Sequence, residues 1–288
     1  MIPSDVPYLK TLPPRTLQAL QEAINACSAR MGMPPDWVQR WLAFTLVADA
    51  LTERLVEGRS PFELKGGAAM ELRLRQQAAG PTPRASKDLD ATFRGPMDEI
   101  EMQVRANLGS ERQGFTFRVI NDGETPRHMR RFEVAVSYRG RAFSRVKLEI
   151  SAYEGQLRDP DHVPAPSLVG FGLAGPGSFP CLPLSKQVAQ KLHAVTEPTA
   201  PGKVNDRFRD LVDLVMLSSL APPSSALREI CEETFQVRQK HGWPPAVVAQ
   251  DRWAEPLARL ARELGLSVVE AADIANHVAG YVAAIAAA

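Results

Sequence analysis

Apolar residues recur at three- and four-residue spacing in "LQALQEAINACSARMG" and "WVQRWLAFTLVADALTERLV", which predicts two helices between Pro14 and Glu57. The period then shortens. "PFELK" reads as a short strand, "GGAAMELRLRQQAA" as a helix opening on two glycines, and "GPTPRAS" as a loop leading into a strand, "DLDATF". A helix over about Met97–Leu108 precedes three extended runs, "GFTFRVI", "RRFEVAVSY" and "RAFSRVKLEIS", the last two joined by a turn at Gly140 that suits a hairpin. Proline and glycine crowd the segment from Leu157 to Pro183, which is expected to be irregular. Helical periodicity returns over 184–197, 205–220, 224–240, 250–264 and 267–286. The expected fold class is α+β: an α/β domain with a mixed sheet over 1–180, and an all-helical domain over 181–288.

Composition adds exclusions. The 288 residues carry 44% hydrophobic and 23% charged side chains, ordinary for a globular protein, and a net charge of +1 gives no global pull on nucleic acid. Cys27, Cys181 and Cys231 are widely spaced and odd in number, which argues against a disulfide framework or a zinc site and suits a reducing compartment. "MIPSDVPYLK" lacks a basic stretch followed by an apolar run, and the longest apolar run, "VAGYVAAIAAA", is too short to span a bilayer. A cytoplasmic protein with no membrane partner is expected.

Chemistry enters at "SKDLDATF". Strand alternation puts Asp88 and Asp90 on one face and Leu89 on the other. Two carboxylates aimed the same way repel, and a proton or a divalent cation relieves the repulsion. Solvated strand-end acids are the competing reading. Gly67, 21 residues before Asp88, closes a "KGG" turn, Lys65–Gly66–Gly67, where bare backbone and free helix N–H groups suit an anion. No Walker loop occurs. Magnesium favours a few carboxylate oxygens together with substrate phosphates, which makes phosphoryl-transfer chemistry the sharper reading.

Further candidates follow from periodicity. In "RVKLEIS", Val146, Leu148 and Ile150 share the apolar face, which leaves Glu149 on the other as a candidate third carboxylate; an exposed strand glutamate is the alternative. In the helical half, Leu184, Val188, Leu192 and Val195 form a core stripe with Lys191 beside it. Asp206, Asp210 and Asp213 fall on one helical face, opposite Phe208, Leu211, Val212 and Val215. Lys191 and Asp210 are read as functional, Asp206 and Asp213 as members of a structural ion-pair network.

Taken together, "FELKGGAAMELRL", "RASKDLDATF", "QKLHAV" and "RFRDLVDL" resemble, in order, the four blocks of the AbiEii-type nucleotidyltransferase toxins, which include the MenT-type toxins. The resemblance covers about Phe62–Leu217. It implies a nucleotidyltransferase fold, with Asp88 and Asp90 as the metal-binding pair, Lys65, Gly66 and Gly67 as the phosphate-binding turn, and Ser86 as an accessory nucleotide contact. It further implies that Lys191 binds nucleotide phosphate and that Asp210 is the motif aspartate of the helical domain. Where the family carries Thr or Ser after the glycines, this chain has Ala68, so a hydroxyl contact to phosphate from that position is lost.

The function expected from the resemblance is transfer of a nucleotide from an NTP, with Mg²⁺ (Mn²⁺ as the alternative), to an RNA acceptor, the tRNA 3′ end. Such transfer blocks translation and is opposed by a cognate antitoxin protein. Between Thr125 and Lys147 stand Arg127, Arg130, Arg131, Arg139, Arg141, Arg145 and Lys147 against one acid, Glu133, a local charge suited to RNA or to guarding a hairpin edge. Trp37, Trp41, Trp243 and Trp253 read as packing residues. Transfer to a protein hydroxyl, and a silent nucleotide- or RNA-binding role, remain open alternatives.

Overall fold

A computed structural model describes residues 12–76, 86, 88–121, 129–199 and 203–288. The chain divides into two compact units. One runs through Tyr153 and takes in Pro160–Cys181; the other comprises Glu154–Asp159 and the chain from Leu182 onward.

The first unit opens with α1 (Leu17–Met31) and α2 (Pro35–Glu53). Thr16 caps α1 by accepting from the Ala19 N–H, and Gly32 ends it in the left-handed conformation. Next come β1 (Phe62–Leu64), α3 (Gly66–Leu74), β2 (Leu89–Phe93), α4 (Ile100–Asn107), β3 (Phe115–Asn121), β4 (Met129–Tyr138) and β5 (Arg141–Ala152). The hairpin expected at Gly140 joins β4 to β5.

The segment expected to be irregular instead holds two short strands, β6 (Asp161–Pro164) and β7 (Ser178–Cys181). They pair with each other, and β7 runs parallel to β1 at Leu64–Cys181, giving the strand order β3-β4-β5-β2-β1-β7-β6. Four-residue strands interrupted by proline are too short to show a period of two, so only pairing reveals them. β2 also runs parallel to β5, which makes the sheet mixed. Leu89, Ala91, Phe93, Val146, Leu148 and Ile150 form one buried face with α2 residues such as Leu42 and Leu46; the opposite face carries Asp90 and Glu149.

The second unit is helical: α5 (Leu184–Thr196), α6 (Phe208–Ser218), α7 (Ser225–Arg238), α8 (Ala254–Glu263) and α9 (Ala271–Ala287). The Glu154–Asp159 segment is fastened to it. Buried Lys186 donates to the Glu154 carbonyl at 2.8 Å, and the Gln156 N–H donates to Glu233 at 2.6 Å. Trp253 is buried and donates from its indole to the Asn205 carbonyl, and Trp37 stacks on Trp41, in keeping with packing roles. All three cysteines are free and buried. Among the described residues, no helix is long and apolar enough to cross a membrane.

Candidate active site

β2 is buried along one face because Leu89, Ala91 and Phe93 point into the core. Alternation therefore turns Asp90 to the other face, where it is partly exposed; Asp88, one residue before the strand, is partly exposed as well. Pairing lines up four residues across three strands and a turn. Arg131 on β4 faces Glu149 on β5, Glu149 faces Asp90 on β2, and the Lys65 N–H donates to the Asp90 carbonyl at 2.9 Å. Directly paired residues share a face, so this is a row of alternating charge: arginine, glutamate, aspartate, lysine.

The turn after β1 is built for close approach. Gly66 has φ +61°, and a Cβ there would lie 2.1 Å from Asp90 Oδ2. The residue must be glycine on both counts, because a side chain would collide with the carboxylate and would resist the left-handed backbone. A Cβ at Gly67 would lie 2.9 Å from Ser86 Oγ. Ser86 in turn donates its hydroxyl to the Asp88 carbonyl at 2.6 Å. The two glycines and the two aspartates thus form one contiguous piece of structure, with Ser86 between them. Lys65 Nζ donates to Ser151 Oγ at 2.5 Å, a partner from β5 with no signature in sequence.

Glu149, in register with Asp90, accepts from Arg131 Nε at 2.7 Å, and among the described residues no three carboxylate, histidine or cysteine side chains form a group able to hold a metal ion. Ala68, where a hydroxyl was counted as lost from phosphate binding, lines an apolar cavity on the other side of β2, among Trp41, Phe44, Leu64, Leu89 and Phe179. A methyl group suits that wall.

The basic stretch does not form one surface. Arg127 lies outside the described residues. Arg130 pairs with Ile150 and Arg131 with Glu149, so their side chains leave opposite faces of β4. Arg145 ion-pairs with Glu133, and Arg139 donates to the Pro14 carbonyl at 3.0 Å, its guanidinium 5.6 Å from the Tyr138 ring centre. Arg141 is exposed at the start of β5. Among the described residues, alternation turns Arg130 away from Arg131, Arg145 and Lys147, which share the face that carries Asp90.

In the helical unit, Lys191 Nζ donates to Asp210 Oδ1 and to Asp213 Oδ2, both at 2.6 Å. Asp213 is wholly buried, and Asp210 and Lys191 are each about one-tenth exposed. Burial pushes the Lys191 ammonium down, but Asp213 and Asp210 together outweigh it and hold its pKa above the ordinary lysine value. Arg207 lies 3.7 Å from Asp210. Helix α6, expected to show acids on one face and apolar residues on the other, is buried on both because the lysine neutralises the acids. Asp206, by contrast, is 83% exposed, with Arg252 at 3.8 Å.

A family model described as "Nucleotidyl transferase AbiEii toxin, Type IV TA system" matches residues 49–284. The protein belongs to the AbiEii nucleotidyltransferase toxin family. It is accordingly a nucleotidyltransferase of a toxin–antitoxin type. The chain is similar in fold to MenT4, a nucleotidyltransferase toxin from Mycobacterium tuberculosis, with a TM-score of 0.61 at 17% identity over 95% of this chain and 90% of that one. JHP933 from Helicobacter pylori matches at a TM-score of 0.44 and 15% identity, over 94% of this chain and 92% of the other. No curated protein sequence matches.

Proposed function

We propose that this AbiEii-family protein transfers a nucleotide from an NTP to an RNA hydroxyl, the 3′ end of tRNA, blocking translation in the cytoplasm until a cognate antitoxin protein neutralises it. The observation that carries the reading is the approach of the Gly66 backbone to the Asp90 carboxylate, with Ser86 wedged against Gly67. A triphosphate needs free N–H groups that phosphate oxygens can reach and a counter-ion held by few protein ligands. Two partly exposed carboxylates beside a glycine turn fit Mg²⁺ or Mn²⁺ completed by substrate phosphates, and Asp88 and Asp90 would hold the ion. A bound ion supplies charge for the leaving pyrophosphate.

The chain's own groups do the rest. The N–H groups of Gly66 and Gly67 and the Lys65 ammonium receive and orient the phosphates. The acceptor oxygen bonds to the α-phosphorus, the bond to the bridging oxygen breaks, and pyrophosphate departs. The hydroxyl proton passes to a neighbouring carboxylate, for which Glu149, in register with Asp90, is the candidate. In this reading residues 1–180 carry the transfer chemistry, and within residues 181–288 Lys191 and Asp210 are the family's motif lysine and aspartate, the lysine a candidate for nucleotide phosphate.

The test is a labelling reaction with purified protein, Mg²⁺, total tRNA and each α-labelled NTP in turn, with Asp90→Ala as control. Label enters RNA with the wild type and falls roughly a hundredfold to a thousandfold in the variant, the size of effect seen when one preorganised charge-stabilising group is removed. Full labelling by a folded Asp90→Ala protein, or label on protein instead of RNA, overturns the proposal.

A further inference from the structure

Glu71 sits between the glycine turn and the cavity behind β2. It lies on α3, five residues after Gly66, and its side chain is 13% exposed. It lines the cavity behind β2, whose other walls include Trp41, Phe44, Leu64, Leu72 and Leu89. A carboxylate sunk in such a wall costs several kcal/mol unless it is paired. Glu71 does have partners. Arg75 donates Nε and Nη2 to one carboxylate oxygen at 3.1 and 2.8 Å, and its guanidinium sits 5.1 Å from the Trp37 ring centre. The remaining partner is the backbone N–H of Ser86.

That last contact connects the cavity side to the site. Ser86 touches three things: Glu71 through its N–H, the Asp88 carbonyl through its hydroxyl, and the space a side chain at Gly67 would fill. One carboxylate on α3 thus holds the residue that spaces the glycine turn from the aspartate strand. Burial pushes the Glu71 carboxyl up, while Arg75, Arg40 and the Ser86 N–H work against that push.

From these contacts we infer that Glu71 is a positioning residue, holding Asp88 and Asp90 through Ser86 at the separation from Gly66 and Gly67 that a metal-bound triphosphate requires. The inference rests on the reading of Asp88 and Asp90 given above. It separates placement from stability through two variants: Glu71→Leu deprives both Arg75 and Ser86 of an acceptor, whereas Glu71→Gln keeps one for each.

Glu71→Leu and Glu71→Gln in the full chain test it through three measurements: thermal midpoint, amide exchange over Ser86–Asp90 in protein without added metal, and half-saturation by Mn²⁺ alone. Glu71→Leu is expected to lower the midpoint because Arg75 loses its partner, to exchange at least tenfold faster at the Ser86 amide, and to need about tenfold more Mn²⁺. Glu71→Gln, whose amide oxygen still accepts from Ser86, recovers most of the protection and the affinity. A midpoint that falls in Glu71→Leu while Ser86 exchange and Mn²⁺ half-saturation stay at wild-type values overturns the inference and leaves a structural carboxylate. Should Glu71→Leu not fold, Arg75→Ala, which frees Glu71 from its anchor, is judged by the same three criteria. Asp90→Ala separates the two claims. If it binds Mn²⁺ as tightly as the wild type, the metal assignment fails, and Ser86 exchange alone then decides whether Glu71 holds the strand entry.

Discussion

Asp90 and Asp213 are both carboxylates where a sequence reader expects apolar neighbours, and the protein accommodates them in opposite ways. Asp90 stays partly exposed on the face of a strand, with a glycine backbone pressed against its oxygen. Asp213 is buried outright and answered by one lysine ammonium that it shares with Asp210. The first arrangement keeps a charge reachable by leaving out a side chain; the second removes a charge from solvent by supplying a counter-charge across two helices. A carboxylate that must meet a metal ion belongs with the first device, and a cation held in one place belongs with the second, since a buried pair is costly to open.

The contrast is broken most forcefully in the helical unit. Asp213→Ala leaves Lys191 buried with half its compensation and should cost about 3–5 kcal/mol in urea denaturation. Asp206→Ala, just before the same helix and in water, should stay within about 0.5 kcal/mol. Equal losses would refute the distinction. The Lys191 contribution has a defined window: its pKa is raised on folding, so the stability it confers is complete below the ordinary lysine value of about 10.4 and is lost as the pH climbs through the raised one.

In the sheet unit the sharper test is Gly66→Ala. A left-handed alanine costs about 1–3 kcal/mol, and its methyl group must displace the Asp90 carboxylate. Nucleotidyl transfer should therefore fall by more than the loss of folded protein accounts for, as activity and calorimetry on one sample would reveal. Acid should separate the two units more gently. His193, buried beside Phe235 and His241, has its pKa pushed down to about 4 by burial, with Arg238 and His241 adding to the effect. Its folded value lies below its unfolded one, so stability is lost as pH falls from about 6.5 toward 4. Amide exchange in α5 and α7 should quicken over that range, and His193→Phe should flatten the change.

Legibility followed the range of the physics involved. Asp88, Asp90 and the glycine turn could be read because alternation and glycine conformation are properties of neighbouring residues. Asp213 was read as part of an ion-pair network because three acids on one face need cations, but helical periodicity could not say that its partner is a lysine 22 positions away or that the pair is buried. The seven-cation stretch looked like one surface because charge was summed along the chain, whereas pairing turns Arg130 and Arg131 to opposite sides. Glu71 left no signal, since its decisive partner is a backbone N–H 15 residues on.

The sequence by itself determined most of the order of elements, the α+β class, a strand with Asp90 on the face opposite its apolar residues and the family to which the chain belongs, all of which depend on local periodicity and short motifs. Tertiary structure alone decided that β6 and β7 join the sheet, that Arg131 engages Glu149, that Lys191 binds two aspartates and that Gly66 touches Asp90. The physical reason is common to all four. Each is a contact between segments distant along the chain, and the energy of such a contact depends on distance, burial and charge at once, quantities that exist only after the chain has folded.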